Sequence, residues 1–281
     1  MHGKRWHAIV LAGLLWPGTT CADAFPQRVV SMNVCTDQLA MLVARQGQLH
    51  SVSYLARDAG ASAMAEEAGA YVVNHGLAEE IFLMKPDLVL AGTYTTRTTV
   101  SLLRRLGFRV EEFQPEASFD DVRANLRRMG GLIGNPARAE ALIAGMDAEI
   151  AALESARPPR LRTALYFANS YTAGAGTLVS EVVKRTGLEN IAETLGMAGT
   201  ARLPLELLVL SDPELLAGGR ARQDKPALAD QNFTHPAYRA LARETAEAPL
   251  ESRLTVCGGP FTLEAARALQ DAARRAGEGR P

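Results

Sequence analysis

The chain is poor in the side chains that most often carry reactive or metal-bound chemistry. It has three cysteines, five histidines and two tryptophans in 281 residues. Trp6, Trp16, Cys21, His2 and His7 all fall in the first 24 residues, which leaves Cys35, Cys257, His50, His75 and His235 for a folded domain. Aromatic surface must therefore come from tyrosine and phenylalanine. A formal charge of -1 offers no basic excess for a nucleic-acid partner. Gly-x-Ser-x-Gly, His-Glu-x-x-His and Walker-type loops are all absent, so serine hydrolysis, zinc proteolysis and nucleotide hydrolysis have no sequence support. Beyond the first residues, no apolar run is long enough to span a bilayer.

What is present begins with an address. Lys4 and Arg5 form a positive region, Ala8 to Trp16 a short apolar core, and Ala22-Asp23-Ala24 a small-residue cleavage pattern before Phe25. This reads as a secretory signal at residues 1–24, cleaved after Ala24. Cys21 would suit lipid attachment, but Gly18-Thr19-Thr20 before it lacks the aliphatic residue such sites resemble. The remaining chain is expected to be soluble and outside the cytoplasm, where disulfides are permitted.

Composition, 47% hydrophobic and 22% charged, fits one or two globular domains with a sizeable core. The longest uninterrupted helical pattern runs from Asn135 to Ala156. Asn135 suits an N-cap, Pro136 the first helical position, and Leu142, Ile143, Met146, Ile150 and Leu153 recur at helical spacing until Pro158 and Pro159 stop it. On each side, strand and helix signals alternate. Before it, strands are predicted at Arg28 to Met32, Ser51 to Leu55 and Phe108 to Phe113, with helices at Thr36 to Arg45, Val100 to Leu106 and Phe119 to Ile133, and Gly76 to Gly92 reads as a short helix ended by Pro86 and a continuous apolar strand ended by Gly92. After it come a strand at Leu161 to Phe167, a Gly-rich loop to Gly176, a helix at Leu178 to Arg185, a strand at Arg253 to Cys257 and a closing helix at Phe261 to Ala276.

The two halves share a motif. Glu79 precedes Pro86 by the interval at which Glu206 precedes Pro213, and the apolar filling, the acid after proline and a terminal Ala-Gly recur. Glu-x-Ile-x-x-x-Lys-Pro-Asp-Leu-Val at Glu79 to Val89, its weaker copy at Glu206 to Leu216, the leader and the single long helix together resemble the periplasmic binding proteins of ABC importers for vitamin B12, haem and ferric siderophores. The resemblance covers essentially the whole chain after the leader. It implies an α/β fold of two doubly wound lobes joined by one helix, divided as 25–134, 135–157 and 158–281, with the ligand between the lobes. It also implies a monomer without catalysis or a cofactor of its own, which passes its cargo to an inner-membrane permease through one acid per lobe, Glu79 and Glu206.

Ligand contacts follow from strand ends, where open α/β sheets place their binding crevice. Tyr54 matches an aromatic that B12-binding members set against the corrin ring, while Val73 and Gly92 stand where those members carry large rings; Tyr94 offers a substitute. Arg57, Arg97 and Arg220 suit an anionic chelate such as a ferric siderophore. Asn169, Tyr171 and the Gly174-Ala175-Gly176 nest are expected on the opposite wall. Cys35 and Cys257 both follow predicted strands and face the crevice; separate thiols or ligand contacts are favoured over a disulfide that would staple the mouth and obstruct a bulky guest.

Three alternatives remain. A haem receptor would use Tyr71, His75 or Tyr94 as axial ligand. Capture of a bare metal ion needs about three histidines and a carboxylate together, which His50, His75 and His235 poorly supply. A cysteine enzyme would use Cys35 at a helix N-terminus as nucleophile.

Overall fold

The computed structural model describes residues 25–95, 97–218 and 227–278; the leader, Cys21 and Arg220 lie outside the described residues. The first half contains β1 (Val29–Ser31), α1 (Val34–Val43), β2 (Leu49–Ser53), β3 (Val72–Asn74), α2 (Ala78–Met84), β4 (Leu88–Gly92), α3 (Arg97–Arg105), β5 (Val110–Phe113) and α4 (Phe119–Ile133). Its five strands are all parallel, in the order β3-β2-β1-β4-β5. Every residue of β4 is buried, which is why Leu-Val-Leu-Ala-Gly reads as a continuous apolar run rather than an alternating one.

α5 (Pro136–Ser155) follows directly, about 30 Å long at 1.5 Å per residue. Asn135 precedes it without capping it; its amide instead donates to the Val43 carbonyl at the end of α1. Ala139, Ile143, Met146, Ile150 and Leu153 form the buried stripe of α5, within one apolar cluster that takes in Val29, Leu90 and Leu126 on one side and Leu165, Leu215 and Leu269 on the other.

The second half contains β6 (Arg162–Tyr166), β7 (Tyr171–Ala173), α6 (Leu178–Arg185), β8 (Glu189–Asn190), α7 (Ile191–Thr194), β9 (Thr200–Arg202), α8 (Leu205–Leu210), β10 (Leu215–Gly218), α9 (Gln231–Thr234), α10 (Pro236–Glu244), β11 (Ala246–Pro249) and α11 (Thr262–Glu278). Its four-stranded sheet is parallel, in the order β11-β10-β6-β8, and β7, which lies inside the predicted Gly-rich loop, pairs antiparallel with β9. No strand forms at 253–257. Ser252–Leu254 is a 3-10 turn, and the sheet edge is already taken by β11, whose Ala-Glu-Ala-Pro sequence carries little strand signal.

The shared motif has a shared structure. The residue before each proline, Lys85 and Asp212, is left-handed at φ 49° and 43°, an unusual conformation for both types. The acid after each proline then receives the start of its lobe's central strand. Asp87 accepts the Gln27 and Arg28 backbone N–H groups at 2.6 and 2.9 Å, and Glu214 accepts that of Arg162 at 2.8 Å.

Candidate functional site

Sheet order locates the crevice. Each order reverses beside its central strand, between β1 and β4 in one lobe and between β6 and β10 in the other, and ligands of such sheets sit beyond the strand C-termini there. Asn33 caps α1 at this point, accepting the Cys35 N–H at 3.0 Å. A Cβ on Gly92 would lie 3.0 Å from the Asn33 amide, so a side chain there would require that amide to shift.

Beneath the first lobe's strand ends lies a buried polar floor that sequence reading missed. Ser31 and Thr36 hydroxyls meet at 2.8 Å, Asn74 donates to the Ser31 carbonyl and the Ser51 hydroxyl at 2.8 and 2.9 Å, and Asp37 accepts the Ser53 N–H at 3.1 Å and its hydroxyl. Burial pushes the Asp37 carboxyl up to about 6 against the opposing pull of its Ser31 and Ser53 hydrogen bonds. The available signal was a cluster of small polar residues at the ends of otherwise apolar strands.

Above the floor, Tyr54 is 52% exposed and stacks on His75, with ring centroids 5.6 Å apart and planes 22° from parallel. Tyr94, in the loop after β4, is 87% exposed. Tyr71 instead packs against the core. Arg57 does not present a free guanidinium: it donates to the Ala68, Gly69 and Tyr71 carbonyls at 3.3, 3.3 and 2.6 Å and braces the chain leading to β3. Arg97 opens α3 and lines a surface cavity with Val100, Ser101, Arg104 and Glu112.

In the second lobe, Asn169 and Ser170 are left-handed at φ 56° and 59°, and the Ser170 hydroxyl accepts from Tyr166 at 2.8 Å. Asn169 shares a cavity with Arg202, Glu206 and Asn232. Arg202 lies 5.5 Å over the half-exposed Tyr171 ring. The glycine nest is not an anion site: the Gly174 and Ala175 N–H groups are held by the Gly199 and Met197 carbonyls, and a Cβ on Gly174 would meet the Met197 oxygen.

Cys35 and Cys257 form a disulfide, Cα atoms 5.1 Å apart, which corrects the expectation of separate thiols or ligand contacts and removes the Cys35 nucleophile. The reason is where the lobes touch. The Gly258 N–H donates to the Glu116 carboxylate at 3.2 Å, and a Cβ on Gly258 would strike Val122 of α4 at 2.5 Å. The bridge lies beside this contact between the lobes. Burial raises the Glu116 carboxyl above its ordinary range, partly countered by Asn125 and Gly258 hydrogen bonds.

Glu79 and Glu206 stand in the first turns of α2 and α8, one per lobe, exposed and without an ion pair among the described residues. Four residues on, Leu83 and Leu210 are 77% and 79% exposed. The histidines do not converge: His50 meets Arg28 at 2.8 Å, His235 accepts the Ala237 N–H at the start of α10, and His75 meets Glu80. Among the described residues no group of three His, Cys, Asp or Glu is placed to hold a metal ion.

Comparison with known proteins agrees with this architecture. The model of a family described as periplasmic binding protein matches residues 29–242. A cobalamin-binding protein of Halobacterium salinarum, found in two strains, is 28% identical over 202 residues, covering 70% of this chain and 55% of the relative, so the chain spans about half the length of the curated relatives it matches. Among solved structures, a possible iron-binding (periplasmic solute-binding) protein of Staphylococcus epidermidis superposes with a TM-score of 0.70 at 16% identity over 89% of this chain and 99% of its own. The periplasmic vitamin B12 and haem binding proteins of Vibrio cholerae give 0.66 and 0.70, each at 17% identity, over 90% and 87% of this chain and 98% of their own. These structures share the fold of two lobes with parallel sheets.

Proposed function

Since the chain belongs to the periplasmic binding protein family, we propose that it is the receptor of an ABC importer, exported by the leader at 1–24, which captures a metal chelate and hands it to an inner-membrane permease without chemistry of its own. The lobes are 25–134 and 158–281, joined by 135–157. Tyr54 and Tyr94 form one wall of the cleft, Asn169 and Tyr171 the other, with Arg97 at the margin. Glu79 and Glu206 are the docking acids.

The cargo is a cobalamin-type corrinoid. The observation that carries this is the exposed, stacked Tyr54 on the first lobe's strand ends, a flat apolar surface suited to a planar macrocycle. The ferric siderophore reading leans on arginines, and the guanidinium of Arg57 is already held by three carbonyls. The cobalamin-binding relative supports the same choice. Native mass spectrometry of the exported form against cobalamin, haemin and a panel of ferric siderophores tests it. A one-to-one cobalamin complex is expected; binding of ferric siderophores alone returns the arginine-based reading.

A further inference from the structure

Two lobes joined through one helix can open or twist about that helix, and a second covalent link removes much of that freedom. Such a link exists. Cys35, at the start of α1 where the first sheet's order reverses, is bonded to Cys257 of the second lobe. Beside it a lighter contact crosses, the Gly258 N–H to the Glu116 carboxylate at 3.2 Å, with Gly258 packed on Val122. Without the bond, this side of the joint rests on that hydrogen bond and that packing. The two sulfurs are not alike. Cys257 is 1% exposed, so an incoming thiolate reaches Cys35, which is half-buried. Once freed, the Cys35 thiolate lies in the first turn of α1, where backbone N–H groups and the helix dipole favour negative charge. The acid of that turn, Asp37, is turned to Ser53. Stabilising the reduced form makes a disulfide easier to reduce.

We propose that the Cys35–Cys257 bond is a thiol-exchange site, and that its reduction by a dithiol unlatches the lobes and releases the cargo. A thiolate of the dithiol attacks Sγ of Cys35. A mixed disulfide forms as the bond to Cys257 breaks, and Cys257 leaves as a thiolate that takes up a proton. The second thiolate of the dithiol then displaces Cys35. Both cysteines end reduced, the dithiol ends as its own disulfide, and two electrons have passed to the protein. With the bond intact the cleft is held at one width, so little ordering opposes capture. With the bond open the lobes must be ordered at binding, and the grip weakens. The release step rests on the receptor reading above; the latch itself does not.

The test compares the exported protein with its bond intact, the same protein held in dithiothreitol, and the double variant Cys35→Ser with Cys257→Ser, which needs no reductant. Dithiothreitol should open the bond without denaturant, read by intact mass after alkylation. Amide hydrogen exchange at residues 256–259 should rise at least about tenfold in the reduced protein and in the double variant, while β4 and α5 keep their protection. Cyanocobalamin should leave both of these forms at least about tenfold faster than it leaves the bonded protein. A bond that resists dithiothreitol until the protein is unfolded overturns the proposal. So does exchange or release that reduction leaves unchanged, and so does protection lost throughout the chain, which would be unfolding rather than unlatching. If cyanocobalamin binds in neither state, the corrinoid reading falls and exchange at 256–259 decides the latch by itself.

Discussion

The two lobes share a framework and differ at its rim. The left-handed residue before proline and the acid that receives the central strand occur in both, at Lys85 and Asp87 and again at Asp212 and Glu214. At the strand ends the likeness stops. The first lobe sets Ser31, Thr36, Asp37, Ser51, Ser53 and Asn74 in a buried hydrogen-bonded floor. The second fills the equivalent region with rings: Tyr166 stacks on Tyr238 at 5.5 Å and meets Phe233 edge-on at 6.0 Å. A polar floor fixes directions through hydrogen bonds, and an aromatic plug fills volume. The first lobe is thus the one equipped to orient a ligand, and the second the one equipped to back it.

The largest expected effect tests whether the lobes are equivalent where they are most alike. Glu79→Ala with Glu206→Ala should abolish uptake of the cargo in cells while leaving its affinity for the isolated protein unchanged. Each single variant should weaken docking by about 30-fold or more if its acid meets a buried arginine, since removing one partner of such a pair costs roughly 2–5 kcal/mol. Unequal losses in uptake assays would show that one lobe dominates docking. Loss of ligand affinity would place both acids in the pocket instead.

A second test separates the lobes. The bridge from Cys35 to Cys257 closes a loop of 222 residues in sequence. Replacing both cysteines by serine should lower unfolding stability by about 4 kcal/mol, read from the urea midpoint. An unchanged midpoint would mean that α5 and the Gly258–Glu116 contact hold the halves together unaided.

The polar floor has a signature that the aromatic plug lacks. The Asp37 carboxyl lies near 6 in the fold against 3.8 for its ordinary value. Over that window the native state keeps a proton that the unfolded chain has released. The contribution of Asp37 to stability therefore falls as pH rises from about 4 to about 6 and is flat above, a difference of roughly 3 kcal/mol. Asp37→Asn should flatten this fall and be the more stable form at pH 7, measured by denaturant midpoints at pH 4 and 7. A variant that parallels the wild type at both would assign the pH dependence elsewhere.

Much of the framework was legible because it rests on local signals. α4 runs from Phe119 to Ile133 as predicted, and the motif repeat correctly announces two lobes. The misreadings share a cause, which is that the deciding partner is distant in sequence. Leu254 and Val256 alternate with polar neighbours as a strand would, but that edge of the sheet is occupied by β11. Arg57 looks free until the carbonyls of residues 68, 69 and 71 close around it. The cysteines looked like mouth residues because nothing near them reveals that the Gly258 loop rests on Glu116 and Val122.

The smallest effect asks whether the second lobe's plug contains a polar element after all. Tyr166 is 2% exposed, and its hydroxyl donates to Ser170 beside the left-handed Asn169. Tyr166→Phe keeps the ring stack and removes this one bond. A neutral hydrogen bond contributes about 1 kcal/mol, so the unfolding free energy read from urea denaturation should drop by no more than that. If the bond also holds the Asn169 turn against the cleft, cargo affinity should weaken while the equivalent loss of Ser53→Ala in the first lobe is felt mainly in stability. A Tyr166→Phe protein with unchanged affinity would confine the plug to packing and leave ligand orientation to the first lobe's floor.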